Sequence, residues 1–442
     1  MSRLTVQDLY EHTRGVCFKT GPPGKVGAET EWLVIDPADP AADLPAAILA
    51  TVEGQDVALY RSPQERHPVA HLRQGDPLTV LAREAGWYRV RTADGQEGYV
   101  QDYLVRAVGP GRIPDDLMVL GYYMQDTRRP AWPALQGNTD VITAIAPWAW
   151  GLDPQGQLRP VYTSETHLAD VLAFAGRRGV ETHALIHNFN PDLGAFDARI
   201  VEALLTDPAV QRRAIQNIVD VVERWGMTGV HIDLENVPRA HRDALTAFMA
   251  ALAAEARPRG LKVSMAVPAV THRTVREPWT AAYDYAGLAP HVDFLMIMAY
   301  DQHWRGSDPG PVAALDWVRE VVEYALDPAG GAVPPDKLVL GIPAYGYDWP
   351  AGTRWADAVA HADAMRRLAA AQARDPAVRL EWHARFQVPT FRYDGREVWF
   401  ENHQSIGHKL LLALEYELAG VALWRLGQED PDTWDLMRRA LL

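Results

Sequence analysis

Eight short apolar runs within residues 117–442, separated by longer stretches of mixed polarity, constrain this chain more than any other feature. They read LMVLGYY, VITAIAPW, THALIHN, GVHIDLE, KVSMAVPA, VDFLMIMAY, KLVLGIPAYG and GVALWRL. Several of the intervening stretches are amphipathic at helical spacing, as in DALTAFMAALAAEARPRG after the fourth run. A short strand followed by a helix, repeated eight times in this length, points to an α/β fold closed as a (β/α)8 TIM barrel.

The fourth run raises a chemical question, because Asp233 and Glu235 stand two positions apart in an otherwise apolar segment. Alternate residues of a strand share a face, so His231, Asp233 and Glu235 are expected to point the same way. Burying carboxylates without partners is costly, so the pair needs a reason to be there. In a (β/α)8 barrel the catalytic groups sit where strands end at the C-terminal face, and NVP leads the chain away directly after Glu235. A carboxyl with a close anionic neighbour holds its proton near neutral pH. Protonating a glycosidic oxygen requires such a proton, so the pair suits cleavage of sugar bonds.

TGVHIDLE, Thr228 to Glu235, resembles the D-G-x-D-x-D-x-E signature of the family 18 glycoside hydrolases. MAYD, Met298 to Asp301, resembles that family's M-x-Y-D, and ALWRL places Trp424 where the family carries a tryptophan under the reacting sugar. These elements fall in the family's order and span about residues 117–442. GIPAYGYDW, DGREVWFEN and GVALWRLGQED look closer to the spore-cortex and cell-wall N-acetylglucosaminidase branch than to chitinases. The resemblance implies that Glu235 is the general acid/base and that Asp233 orients the substrate's 2-acetamido group. It implies that Tyr300 hydrogen-bonds the acetamido oxygen, which is itself the nucleophile, and that Asp301 belongs to the substrate-binding set. Such substrate-assisted catalysis is retaining and stands outside the two-carboxylate scheme. The implied substrate is peptidoglycan, spore cortex or another N-acetylglucosamine polymer. A chitinase or endo-N-acetylglucosaminidase shares the chemistry, and a non-catalytic sugar-binding protein remains a third reading.

Thr228 and His231 stand where the full signature has aspartates. A histidine at 231 can still hydrogen-bond Asp233, but its charge titrates near neutral pH, which bears on the pH profile more than on the reaction. Tyr122, Trp148, Trp304, Tyr345 and Trp349 fall at or just beyond strand ends, where aromatic faces suit sugar C–H surfaces. Core packing explains any one of them equally well. Between the seventh and eighth runs, RLEWHARFQVPTFRYDGREVWFENHQSIGHKL is too long for a simple loop. FRYDGREVWFE reads as a hairpin turning at DG, within a small α+β insertion that would form one wall of the cleft.

The rest of the chain divides at residues 49–107 and 108–442. Residues 49–107 carry short β-rich runs with a hairpin signal, ADG, between WYRVRT and QEGYV. The stretch resembles a bacterial SH3-like domain, which implies a role in holding the chain on peptidoglycan. Residues 1–48, with GVCFKTGPPGKVGAETEWLVID, resemble the start of a glutamate–cysteine ligase. In that family an acid-x-acid pair matching Glu29 and Glu31 would help hold magnesium. Nothing downstream supplies that family's nucleotide and amino-acid sites, so a fragment without ligase activity is expected.

The net charge of −14 argues against a general nucleic-acid binder. The single cysteine, Cys17, excludes an internal disulfide framework and a cysteine-rich metal site. No histidine shows metal-ligand spacing, so no metal and no other cofactor are expected. The N-terminus lacks the apolar core of a secretory signal, and no run approaches the roughly 18 residues of a membrane span. A protein made in the cytoplasm and associated with the spore or cell wall is expected, with its oligomeric state open.

Overall fold

The computed structural model describes residues 48–52, 57–108 and 117–441, apart from positions 66, 74–75, 85–86, 93–94, 102–103 and 354. Glu29, Glu31 and the rest of the ligase-like stretch up to residue 47 lie outside the described residues.

All eight apolar runs form strands of one parallel sheet that closes on itself. They are β1 (Met118–Tyr123), β2 (Ala144–Leu152), β3 (Glu181–His187), β4 (Gly229–Asp233), β5 (Lys262–Pro268), β6 (Phe294–Met298), β7 (Leu338–Pro343) and β8 (Gly420–Trp424). Neighbours in sequence are neighbours in the sheet, and the ring is completed where β8 pairs with β1 through Ala422 and Leu120. The strands read as unbroken apolar runs because both of their faces are buried. Leu120, Ala146, Leu185, Ala266, Phe294, Met296, Val339 and Ala422 fill the barrel interior, while Val119, Ile145, Ile186, Val230, Ile232, Leu295 and Val421 pack outward under the helices.

Two helices set the position of β4. α1 (Pro208–Arg224) starts with Pro at its first turn, and Asp207 caps it by accepting the Ala209 amide at 2.7 Å. Such a cap contributes about 1 kcal/mol, and a first-turn Pro gives up only an N–H that the helix leaves unpaired. The buried stripe of Ala214, Ile215, Ile218, Val219 and Val222 holds α1 on the sheet. After β4 the chain enters α2 (Arg242–Ala256), which buries Leu245, Phe248, Met249, Leu252, Ala253 and Ala256.

β7 stops at Pro343, three residues short of the KLVLGIPAYG run, because the chain leaves the barrel there to start a second sheet. Tyr345–Pro350, Asp357–Ala360, Glu381–His383, Val388–Tyr393 and Arg396–Trp399 form an antiparallel five-stranded layer, backed by α3 (His361–Arg374). The insertion is therefore α+β as expected but begins earlier, at Tyr345. Gly346 permits this sheet: a β-carbon there would lie 2.2 Å from the Trp399 carbonyl oxygen. The DG hairpin is present, with Tyr393 opposite Arg396 and left-handed φ at Asp394 (47°) and Gly395 (71°). Buried Asp348 pins the layer by accepting Arg396 Nε at 2.7 Å and the Tyr393 hydroxyl at 2.6 Å, with Arg367 as a further partner. A buried carboxylate held by charged and neutral donors is satisfied rather than orphaned.

The described residues between 48 and 108 form a separate five-stranded antiparallel sheet with a two-stranded ribbon, around Val57, Leu59, Leu72, Leu78, Val80, Val90, Val100 and Val105. The expected hairpin pairs Trp87–Thr92 with Glu97–Gln101, and Gly95 supplies φ +86° in the turn. Among the described residues no helix is long and apolar enough to cross a membrane.

Candidate active site

β4 ends at Asp233, and Glu235 follows on the segment that leaves the barrel mouth. Asp233 is 4% exposed, and its Oδ1 is sealed from solvent without a hydrogen-bond partner. Burial pushes the Asp233 carboxyl above its ordinary range. Glu235 is half-buried, and its carboxyl is pushed up by burial first and then by the charges of Asp233 and Asp301. Both carboxyls therefore favour their protonated forms more than free acids do.

Tyr300 follows β6 and stands close enough to feel Asp233, Glu235 and Asp301, although burial is the larger cause of its raised pKa. Its ring lies over Gly341 of β7, where a β-carbon would come within 3.1 Å of Tyr300 Cε1. Asp301 takes a left-handed φ of 57° and accepts the hydroxyls of Tyr345 at 2.6 Å and Tyr347 at 3.0 Å. Those tyrosines come from the first strand of the insertion, so its sheet faces the mouth through Asp301. Tyr345 is buried, 7% exposed, with its hydroxyl committed to Asp301.

The other aromatic candidates divide by burial. Trp424 and Trp148 are half-buried and pack edge to face at 5.4 Å, and Trp424 meets Tyr122 in the same way at 5.0 Å. The peptide bond from Trp424 to Arg425 is cis. Trp148 stacks on His187 at 4.2 Å and has Phe189 and Phe196 edge-on at 6.4 and 6.3 Å. Trp304 is 51% exposed on the loop after β6. Tyr122 is shut beneath this group, and its hydroxyl is spent on His231. Trp349 takes the packing alternative: it is 1% exposed, and its indole donates to the Ser307 carbonyl at 3.0 Å, so it packs the insertion and offers no face to a sugar.

His231 is a correction, since its ring is held by Tyr122 and Ser264, with no hydrogen bond to Asp233, and does not titrate near neutral pH. The Tyr122 hydroxyl lies 2.7 Å from Nε2, and Ser264 Oγ lies 2.8 Å from Nδ1. Ser264 donates its own proton to the Val230 carbonyl at 3.1 Å, so it accepts from Nδ1–H while Nε2 accepts from Tyr122. Both ring nitrogens are satisfied in the neutral tautomer. Burial, with a smaller effect of His183, lowers the His231 pKa to about 3.

The floor of the site is therefore uncharged near neutral pH, and its titration leaves a stability signature. Between about pH 3 and the unfolded value near 6.5, the unfolded chain takes up a proton that folded His231 refuses. The contribution is whole above pH 6.5 and is lost as pH falls toward 3. His231→Gln, which can still accept from Tyr122 and donate to Ser264, is expected to shrink the stability loss between pH 7 and pH 4.5 by about 2 kcal/mol. Urea unfolding of both proteins at the two pH values measures this, and parallel losses would contradict the assignment. The carboxyl pair is common to both proteins and cancels in the difference.

Several residues that position the site gave no signal in the sequence. Asn188, directly after β3, accepts the Glu235 amide on Oδ1 at 2.9 Å and donates from Nδ2 to the Glu235 carbonyl at 2.9 Å. Tyr283 donates to the Leu234 carbonyl at 2.8 Å, between the two acids. The hairpin patterning of Phe189 and Phe196 was equally silent. Among the described residues one group, His403, Asp430 and Asp432, has metal-type ligand atoms within 4.8 Å of one another. Asp430 there already accepts both the main-chain N–H and ring Nδ1 of His403, at 3.0 and 2.7 Å, which accounts for the cluster as a helix cap.

Comparison with known proteins places the chain by family and fold. Residues 199–429 match the model of the glycosyl hydrolases family 18, and residues 53–106 match a bacterial SH3 domain. The cortical fragment-lytic enzyme of Bacillus subtilis is 33% identical over 252 residues, covering 55% of this chain and 56% of that enzyme. The chain thus spans just over half the length of that relative. The crystal structure of the Bacillus megaterium spore cortex-lytic enzyme SleL superposes with a TM-score of 0.66 at 26% identity, covering 77% of each chain. A chitinase from Chromobacterium violaceum superposes with a TM-score of 0.67 at 28% identity, covering 74% of this chain and 99% of the chitinase.

Proposed function

Because the chain belongs to the glycosyl hydrolases of family 18, we propose that it cleaves N-acetylglucosamine-containing bonds of peptidoglycan or spore cortex by substrate-assisted, retaining catalysis. The observation that carries this reading is the carboxyl pair at the mouth of β4, with both pKa values raised and Asp233 Oδ1 left without a partner. Glu235, open to the cleft and holding its proton, delivers it to the glycosidic oxygen as the bond to the anomeric carbon breaks. The carbonyl oxygen of the substrate's own acetamido group closes on that carbon, forming an oxazolinium ring. Asp233 accepts the acetamido N–H, and its charge offsets the positive charge that develops there. Tyr300 donates to the acetamido group from the side of β6. Glu235, now a carboxylate, takes a proton from the water that opens the ring and returns configuration at the anomeric carbon.

Trp424 and Trp148 supply the apolar floor for the reacting sugar, with Trp304 at the rim and Tyr122 supporting Trp424 from below. Asp301 and Tyr345 belong to the wall built by the insertion. The SH3-like domain holds the enzyme on the wall polymer and raises the local concentration of substrate. The sequence relatives with spore-cortex names favour the cortex or wall as substrate.

A second reading is supported by the chitinase, whose whole chain superposes on this barrel. Purified protein should therefore be incubated with spore cortex, vegetative peptidoglycan and chitin oligomers, and the products read by mass spectrometry. Muropeptides with new N-acetylglucosamine reducing ends are expected. Cleavage confined to chitin would replace this reading by the second, and binding without any product would leave only a sugar-binding protein.

A further inference from the structure

The general acid has no side-chain hydrogen bond among the described residues, so its direction depends on how the main chain beneath it is held. The β3–β4 ladder ends where His187 pairs with Asp233. Two residues further on, a side chain takes over the work of a strand. Asn188 Oδ1 accepts the Glu235 amide at 2.9 Å, and Nδ2 donates to the Glu235 carbonyl at 2.9 Å. The carboxamide thus pairs with both main-chain groups of Glu235 as a neighbouring strand would. It does so with no exposure to solvent, and Nδ2 also donates to the Asp197 carbonyl at 3.2 Å.

The same residue closes the base of a hairpin. The Asn188 carbonyl accepts the Asp197 amide at 2.9 Å, and Phe189 pairs with Phe196 across the ribbon between them. Both phenyl rings stand edge-on to Trp148. The hairpin is tied to the acid from the other side as well, since Asn236, at a left-handed φ of 56°, donates to the Phe196 carbonyl at 3.0 Å. The Glu235 main chain and the Asn236 side-chain amide therefore end on one ribbon, which also buttresses the aromatic floor. These bonds lie beyond the β3–β4 ladder, which stops at His187 and Asp233.

We propose that Asn188 is a positioning residue, whose buried carboxamide fixes the main chain of Glu235 and so aims the proton-donating carboxyl relative to sugar seated against the Trp148 wall. This rests on Glu235 being the acid. Without the clamp, Glu235 keeps its chemistry but loses its direction, and misplacement by about 1 Å can cost on the order of 100-fold in rate.

Two variants test this beside Glu235→Gln. Asn188→Ala is expected to lower kcat by roughly 30- to 100-fold while KM stays within about threefold, because the main-chain bonds that hold the ribbon against Trp148 remain. Asn188→Asp keeps the shape and the acceptor for the Glu235 amide, but when ionised it faces two carbonyl oxygens with no proton to give. Its kcat is expected to be low at neutral pH and to recover toward acid pH as the new carboxyl takes up a proton and donates again, displacing the pH profile from that of wild type. A contact that merely stabilised the fold would lower the melting temperature without the split between kcat and KM or the displaced profile. Wild-type kcat and profile in both variants, with Glu235→Gln inactive, would overturn the proposal while sparing the assignment of the acid. Failure of both variants to fold would overturn it too, since the clamp would then be holding the barrel. Undiminished activity in Glu235→Gln would instead remove the assignment of the acid on which the proposal stands.

Discussion

Glu235→Gln is expected to lower kcat on an N-acetylglucosamine glycan by about 10³- to 10⁴-fold, in the upper part of the range for a positioned acid. The loss corresponds to roughly 4–5.5 kcal/mol of transition-state stabilisation. It lies high in the range because one group serves twice, giving a proton to the leaving oxygen and then removing one from water. Glutamine keeps the length of the side chain and leaves the main-chain bonds to Asn188 in place, so KM should stay within about threefold. The pH dependence gives a second reading of the same group. Glu235 must be protonated to act, and burial with the charges of Asp233 and Asp301 raises its pKa, so wild-type activity falls as pH climbs through that raised value. On the acid side it falls as Asp233, also raised by burial, takes up a proton and loses its charge. The alkaline sign applies to stability too: the unfolded chain releases the Glu235 proton first, so folded Glu235 becomes a growing cost as pH rises. The glutamine variant should therefore melt no lower than wild type at pH 7 and gain on it at pH 8. Turnover within tenfold of wild type would remove Glu235 from the role of acid.

The barrel was legible because β-strands buried on both faces must be apolar throughout, and eight such runs with helical spacers admit few other closures. Asp233 and Glu235 stood out for the complementary reason, since carboxylates in such a run need a purpose. What sequence reasoning missed depends on contacts that no local pattern encodes. Asn188 pairs with the main chain of a residue 47 positions away, and an asparagine at a strand end otherwise reads as a turn former. His231 reads as a neutral-pH switch until Tyr122 and Ser264 are seen to occupy both of its nitrogens in a buried layer. Trp349 sits at a strand end in the sequence, yet its strand belongs to the insertion and turns the indole into that layer's core. The start of the insertion was obscured because Tyr345–Pro350 continues the apolar texture of β7 without a break. In each case period and composition fix which residues are inside, and the identity of the buried neighbour then decides what the side chain does.

Glycans whose N-acetyl groups have been removed are expected to be cleaved at least about 10⁴-fold more slowly than their acetylated counterparts, the largest effect anticipated for this protein. The magnitude follows from the nucleophile. An acetamido oxygen held beside the anomeric carbon acts at an effective concentration of roughly 10⁵–10⁸ M, and removing it leaves only water or a protein carboxylate to attack. Asp233 is poorly placed to substitute, since it is 4% exposed with Oδ1 sealed from solvent at the end of β4. Asp301 is already engaged by two tyrosine hydroxyls. Loss of binding would not account for the slowing, because the free amine is cationic and would meet Asp233 and Asp301 with favourable charge. Binding of both glycans to Glu235→Gln, measured by calorimetry, should therefore agree within about tenfold while wild-type turnover separates by orders of magnitude. Equal rates on the two glycans would mean that a protein group attacks the sugar, and Asp233 would then have to leave its buried position to do so.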